Sequence, residues 1–289
     1  MELQWPLILF TTLLAWSCGL FGAQAAAALK GEAEKAQVPA LACSVILLAA
    51  SGIAVFFHLQ HWERIFNGFG HITSGITQEL IFIVALVVVM VVYFADLRRN
   101  GAPGKAVAWC AVVFSAVLVL VAGHSYMMPS RPAWDTFLGP LSLLGAALGA
   151  GPATFALIAS LKGGTADPDG AGNRLVLWGS VANAALVAVY VAAMAAAGSA
   201  FTSVGYSFDP THPTEALASA AAYGPFASGT APFSVGAIVC AVAALAVAAA
   251  FRKKPCAAVF AVVVALAVAS ALLLRVAFHL CGGDVFMLY

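Results

Sequence analysis

Eight long apolar stretches fill this chain, and none carries a charged side chain in its middle. That pattern leaves few folds open. A soluble domain is about half apolar and about a quarter charged, whereas this chain is 63% hydrophobic and 9% charged, with a mean hydropathy of +1.00. A hydrocarbon layer about 30 Å thick takes about 20 residues of helix to cross. Only helices and closed barrels satisfy their backbone polar groups in lipid. The apolar runs are continuous and do not alternate, which selects helices over a barrel. The expected fold is an all-α integral membrane protein: an eight-transmembrane-helix bundle, with residues 1–289 forming one membrane domain.

The spans drawn from hydropathy cover residues 5–29, 38–59, 78–95, 106–123, 137–161, 175–197, 233–251 and 256–274. The third is short and begins beside Glu79. The first does not read as a signal peptide, because Glu2 stands where a basic segment belongs and the apolar run is too long. One set of connections and helix ends carries Lys30, Lys35, Arg98, Arg99, Lys105, Lys162, Arg174, Arg252, Lys253 and Lys254; the other carries Arg64, Arg131 and Arg275. Positive charge concentrates on the cytoplasmic side of membrane proteins. Both termini are therefore expected outside. With a net charge of +1 and no basic stripe, nothing points to nucleic acid.

The six cysteines are scattered without a C-x-x-C pair, so they read as small apolar residues, not as a disulfide framework or iron–sulfur ligands. Gly145 and Gly149 stand four apart, a spacing that lets helix backbones approach closely. The glycine-rich stretch 163–172 lacks the lysine of a phosphate loop and reads as a turn.

All six histidines fall near span ends or in loops on the expected outer side, where the connections are also longer. Three groups of residues there bear on chemistry. The first runs from His58 through His61, Arg64 and Asn67 to Glu79. His58 ends the second span and Glu79 opens the third, so the short loop lets the two side chains meet at the membrane edge. A glutamate in that place has two readings. It caps a helix N-terminus, where a carboxylate is favoured, or it serves a site, as intramembrane ionisable groups generally do. The pairing with histidine favours the second. Oxidising a hydroquinone releases two electrons and two protons, and each proton needs an acceptor within hydrogen-bond reach. His58 is expected to accept one, with Glu79 relaying the other outward. Arg64 and Asn67 would orient the head group or hold Glu79 ionised. His61, His71 and His212 read as solvated loop residues.

The second group is Tyr126-Met127-Met128-Pro129-Ser130-Arg131-Pro132-Ala133-Trp134-Asp135, between spans four and five. Tyr126 and Trp134 suit the interfacial aromatic belt. Arg131, between two prolines, invites a docking role for itself and Trp134, together with Arg64 and the segment 198–232. His124 is expected to line the same cavity as Tyr126. The third group is Arg275 with Phe278 and His279, where Arg275 either snorkels to the interface or serves the site. Haem b is disfavoured: His58, His124 and His279 lie close to the loops, and no histidine stands on the inner half. Metal ligands are not expected.

These residues resemble the dimethyl sulfoxide reductase anchor subunit family, the eight-helix membrane partners of molybdopterin oxidoreductases. The resemblance rests on His58-Leu59 with Arg64, Phe66 and Asn67, on Glu79, on the run Tyr126-Met127-x-Pro129-x-Arg131-Pro132-Ala133-Trp134, and on Arg275 with Phe278. The chain departs from the family at His61 and Trp62, where small residues usually follow the His-Leu pair. The resemblance implies a three-part complex: a molybdopterin catalytic subunit, an iron–sulfur electron-transfer subunit with 4Fe–4S clusters, and this anchor. It implies menaquinol as the ligand, no haem, no iron–sulfur cluster in this chain, and a place in a prokaryotic cell membrane with the partners on the outer face. His58 and Glu79 match the family's quinol-site histidine and glutamate. Three other readings stay open, one of them a purely structural anchor, which binding of a quinol analogue separates from the quinol-handling one. A quinone-reactive anchor of the polysulfide reductase kind shares the chemistry and differs in its partner. A secondary transporter would need a polar site near the midplane, for which Asn183 and a few serines are the candidates.

Overall fold

The computed structural model describes residues 3–58, 70–163, 170–199 and 223–283. Every long element among them is an α-helix: α1 (Trp5–Ala28), α2 (Glu34–Phe56), α3 (Gly75–Asn100), α4 (Lys105–His124), α5 (Leu138–Leu161), α6 (Ala171–Ala197), α7 (Ala231–Ala250) and α8 (Ala257–Leu280). All eight are long and apolar enough to cross a membrane, which makes this a multi-pass membrane protein. The eight expected spans correspond one to one with these helices.

The helices run up and down, so the bundle has two ends. α1 begins and α8 finishes at the same end, here the terminal end. Lys30, Arg98, Arg99, Lys105, Lys162 and Arg252–Lys254 all lie at the other, basic end. α1 and α5 form the centre of the bundle. α1 packs on α2, α4 and α5, and α5 packs on α1, α4, α6 and α8.

Small residues permit this packing. A side chain on Gly151 would run into the backbone of Gly19, and one on Gly19 into that of Ala147. Gly145 and Gly149 face Asn183 and Leu186 of α6, so their spacing serves packing within the chain. Hydrogen bonds between helices supplement the contacts. Trp16 Nε1 donates to Thr154 Oγ1 at 2.8 Å, Ser17 Oγ to the Ser44 carbonyl at 2.7 Å, and Ser270 Oγ to the Ala237 carbonyl at 2.8 Å. In lipid such bonds average about 0.6 kcal/mol each, so close backbone packing carries most of the association.

Two helices extend well past their hydropathy limits. α3 begins three residues before the expected 78 and continues through Arg98 and Arg99 to Asn100. Gly101, with φ of 75°, then supplies the left-handed residue that ends it. Two arginines in the last turn also suit the negative end of the helix dipole. α8 continues six residues past 274 and so carries Arg275, Phe278 and His279 inside the bundle. All six cysteines are unpaired, and Cys281, expected in an outer segment, is buried.

Candidate functional site: a polar cavity at the terminal end

Glu79 stands on the fifth residue of α3, beyond the first turn, and is only 8% exposed. That position rules out the capping reading, and the helix has no acidic residue in its first turn. The carboxylate instead accepts a hydrogen bond from Ser125 Oγ, one residue past the end of α4. Gly75, at the start of α3, lets the two segments approach, since a side chain there would strike Ser125.

Glu79 faces a cavity of about 460 Å³. Phe10, from α1, and Gly52 and Val55, from α2, line its apolar side, and Ile76, Leu80 and Ile83 extend that side along α3. His58, Ser125, Tyr126, Arg131 and Trp134 line its polar rim with Glu79. The structure therefore brings five of the expected site residues together: His58, Glu79, Tyr126, Arg131 and Trp134. His58 is exposed, just past the end of α2. Arg64 and Asn67 lie outside the described residues, as do His61 and His212. His71 is exposed and does not line the cavity.

Three expectations change. His124 is exposed, with its Nδ1 3.3 Å from Met127 Sδ, and it is not part of the cavity wall. The last turn of α4 points it away, while the two residues after it turn inward. Tyr126 and Trp134 do not form an interfacial belt. Trp134 is 5% exposed, stacks on Phe278 at 4.4 Å and 8°, and donates from Nε1 to the Phe278 carbonyl at 2.7 Å. Its ring belongs to the wall and is not displayed for docking; Arg131, whose guanidinium lies 4.4 Å above that ring, is the more accessible of the two. α1 supplies a wall beside α2 and α3, and α8 stands behind Tyr126 and Trp134.

Behind that wall lies Arg275, 4% exposed. It does not snorkel. Its Nε donates to Thr11 Oγ1 at 3.0 Å, and its guanidinium lies 4.2 Å from the Phe278 ring centre and 5.1 Å from that of Tyr126. It is within electrostatic reach of Glu79. The aromatic faces and the carboxylate together compensate a cation that lipid would penalise. His279, one turn on, has Nδ1 2.8 Å from the Arg275 carbonyl and packs its ring against Trp134. Tyr126 holds its phenol protonated: burial, reinforced by the nearby Glu79 carboxylate, pushes it above its ordinary value. Its hydroxyl is thus both donor and acceptor at neutral pH.

Sequence reasoning missed Ser125 and Thr11. A serine beside a helix end and a threonine in an apolar span are ordinary, and no local signal distinguishes them. Asn183, the midplane candidate of the transporter reading, packs against Gly149. No protein-family model matches the chain, and no curated protein matches it in sequence.

Proposed function

We propose that this chain is the membrane anchor of a molybdopterin oxidoreductase complex, that it oxidises menaquinol in the Glu79 cavity, and that it passes the electrons to an iron–sulfur partner. The observation that carries the reading is the cavity's composition. A carboxylate, an imidazole, a phenol and a guanidinium ring one end of an otherwise apolar space that opens among membrane helices. A flat, weakly polar head group with two exchangeable protons suits that asymmetry.

Glu79, held by Ser125, takes one proton, and His58, which is exposed at the rim, takes the other and delivers it to water. Tyr126 hydrogen-bonds a quinol oxygen without changing its own charge. The two electrons would leave one at a time for the 4Fe–4S clusters of a partner docked over Arg131 at the terminal end. The anchor itself contributes binding and proton handling, and its residues call for no haem or iron–sulfur ligation. The polysulfide reductase kind of anchor uses the same chemistry with a different partner.

The test uses the assembled complex. With His58→Ala or Glu79→Gln, quinol oxidation should fall about a hundredfold or more, in line with loss of a general base. Reduction of the terminal substrate from an artificial electron donor should persist. His124→Ala should leave quinol turnover near normal. Normal turnover in both the His58 and Glu79 variants removes the assignment.

A further inference from the structure

A second space adjoins the first. It occupies about 650 Å³ between α2 and α3, and its walls are apolar throughout. Leu41, Val45 and Leu48 line it from α2, and Val87, Met90 and Phe94 from α3. Ile83 borders both spaces. The residues follow in order along each helix. On α3, Glu79, Leu80 and Ile83 face the first space and Ile83 through Phe94 the second. On α2, Phe56, Val55 and Gly52 face the first, and Ala49 back through Val38 the second. Polar and apolar spaces therefore lie end to end along one interhelical seam.

The seam stays open for a reason. α2 and α3 are consecutive, yet they touch far less than α1 and α2 or α3 and α4 do. Small residues normally let helices close up. On α2, Ala42, Ala49 and Gly52 line the seam with no opposing backbone drawn against them, and a side chain added at Gly52 would meet open space. They therefore leave a trough. Along α3 the trough and cavity together run from Glu79 to Phe94, about 22 Å at the helical rise of about 1.5 Å per residue. That distance carries an extended chain from one membrane boundary past the midplane.

We propose that this trough binds the isoprenoid tail of the ligand whose head occupies the Glu79 cavity, so that the protein recognises a long-tailed quinol along its length. The proposal rests on the quinol reading of the cavity. What favours the tail over a bilayer acyl chain is continuity: the trough begins where the apolar side of the head cavity ends, at Ile83, which lines both. Bilayer lipid is as apolar as the trough, so the gain comes from shape and is modest.

The test fills the trough without touching the cavity. Ala42 and Ala49 are both exposed, so Ala42→Phe and Ala49→Phe should leave the fold intact, and equal thermal melting to the wild type checks it. Wild type and variants in lipid nanodiscs are titrated with two probes, a tail-free naphthoquinol and one bearing four isoprene units, and binding is read by quenching of tryptophan fluorescence. The expected result is a dissociation constant raised about tenfold for the tailed probe and unchanged for the tail-free one. Comparing each probe only with itself cancels its partition into lipid. If the tailed probe binds all three proteins equally, or both probes weaken together, the tail assignment is overturned while the head site stands. If neither probe binds the wild type, the quinol reading itself fails.

Discussion

Arg275 shows how much one side chain depends on its surroundings. At hydrocarbon depth an unpaired arginine costs about 2.5–3.5 kcal/mol by insertion scales. Here Thr11, the faces of Tyr126 and Phe278, and the charge of Glu79 offset that cost. Removing the guanidinium ends the Thr11 hydrogen bond and both ring contacts and leaves a buried cavity. Arg275→Ala should therefore destabilise the protein by about 3 kcal/mol, seen as a lower melting temperature in detergent micelles. Arg275→Lys should not restore it, because an ammonium cannot lay a flat face on Phe278; a variant that melts like the wild type would show the network to be idle. The neighbouring Ser125→Ala should cost about 1.5 kcal/mol by the same measurement, the ordinary worth of a hydrogen bond to a charged group. The meeting of His58 and Glu79 at one cavity was legible in the sequence, because consecutive spans place their joined ends at the same membrane edge. The depth of Arg275 was not. An arginine at a span end reads the same whether it turns to water or inward, and its deciding partner lies 264 positions away.

Among the elements, hydropathy located all eight helices but placed some ends short. It stops where polar residues begin, at Thr77 and Asp96 in α3 and at Arg275 in α8, whereas a helix stops only where its backbone can be satisfied otherwise. Gly101 ends α3 for that reason. Close approach was likewise only partly readable. Many glycines and alanines mark tight packing in general, but which pairs meet depends on the crossing of distant helices. Gly151 and Gly52 make the contrast testable, since both are helical glycines. A methyl on Gly151 strikes the backbone of Gly19, and one on Gly52 strikes nothing. Gly151→Ala should destabilise by about 1–3 kcal/mol through overpacking, and Gly52→Ala should stabilise by up to about 1 kcal/mol through helix propensity. Unfolding in mixed micelles measures both. The opposite order would mean that α1 and α5 do not cross at those residues.

At the scale of the whole molecule, function depends on which membrane face the cavity opens towards. The polar cavity and the Arg131 loop share one end of the bundle, and the lysines and arginines from Lys30 to Lys254 crowd the other. Positive charge resists translocation, so the basic end is expected inside, with the cavity and any docked partner outside. The chain supplies its own reporter for the inner face: Cys256 is exposed beside Lys254. An outer reporter comes from Asp135→Cys, an exposed position in the loop after Arg131, placed in a background lacking the other exposed cysteine, Cys110. A membrane-impermeant maleimide applied to intact cells should label position 135 and spare Cys256, and permeabilised cells should label both. Labelling of Cys256 from outside would invert the bundle. Under the proposed function, protons from quinol oxidation at Glu79 and His58 would then be released inside the cell, and an iron–sulfur partner would have to dock from the cytoplasm.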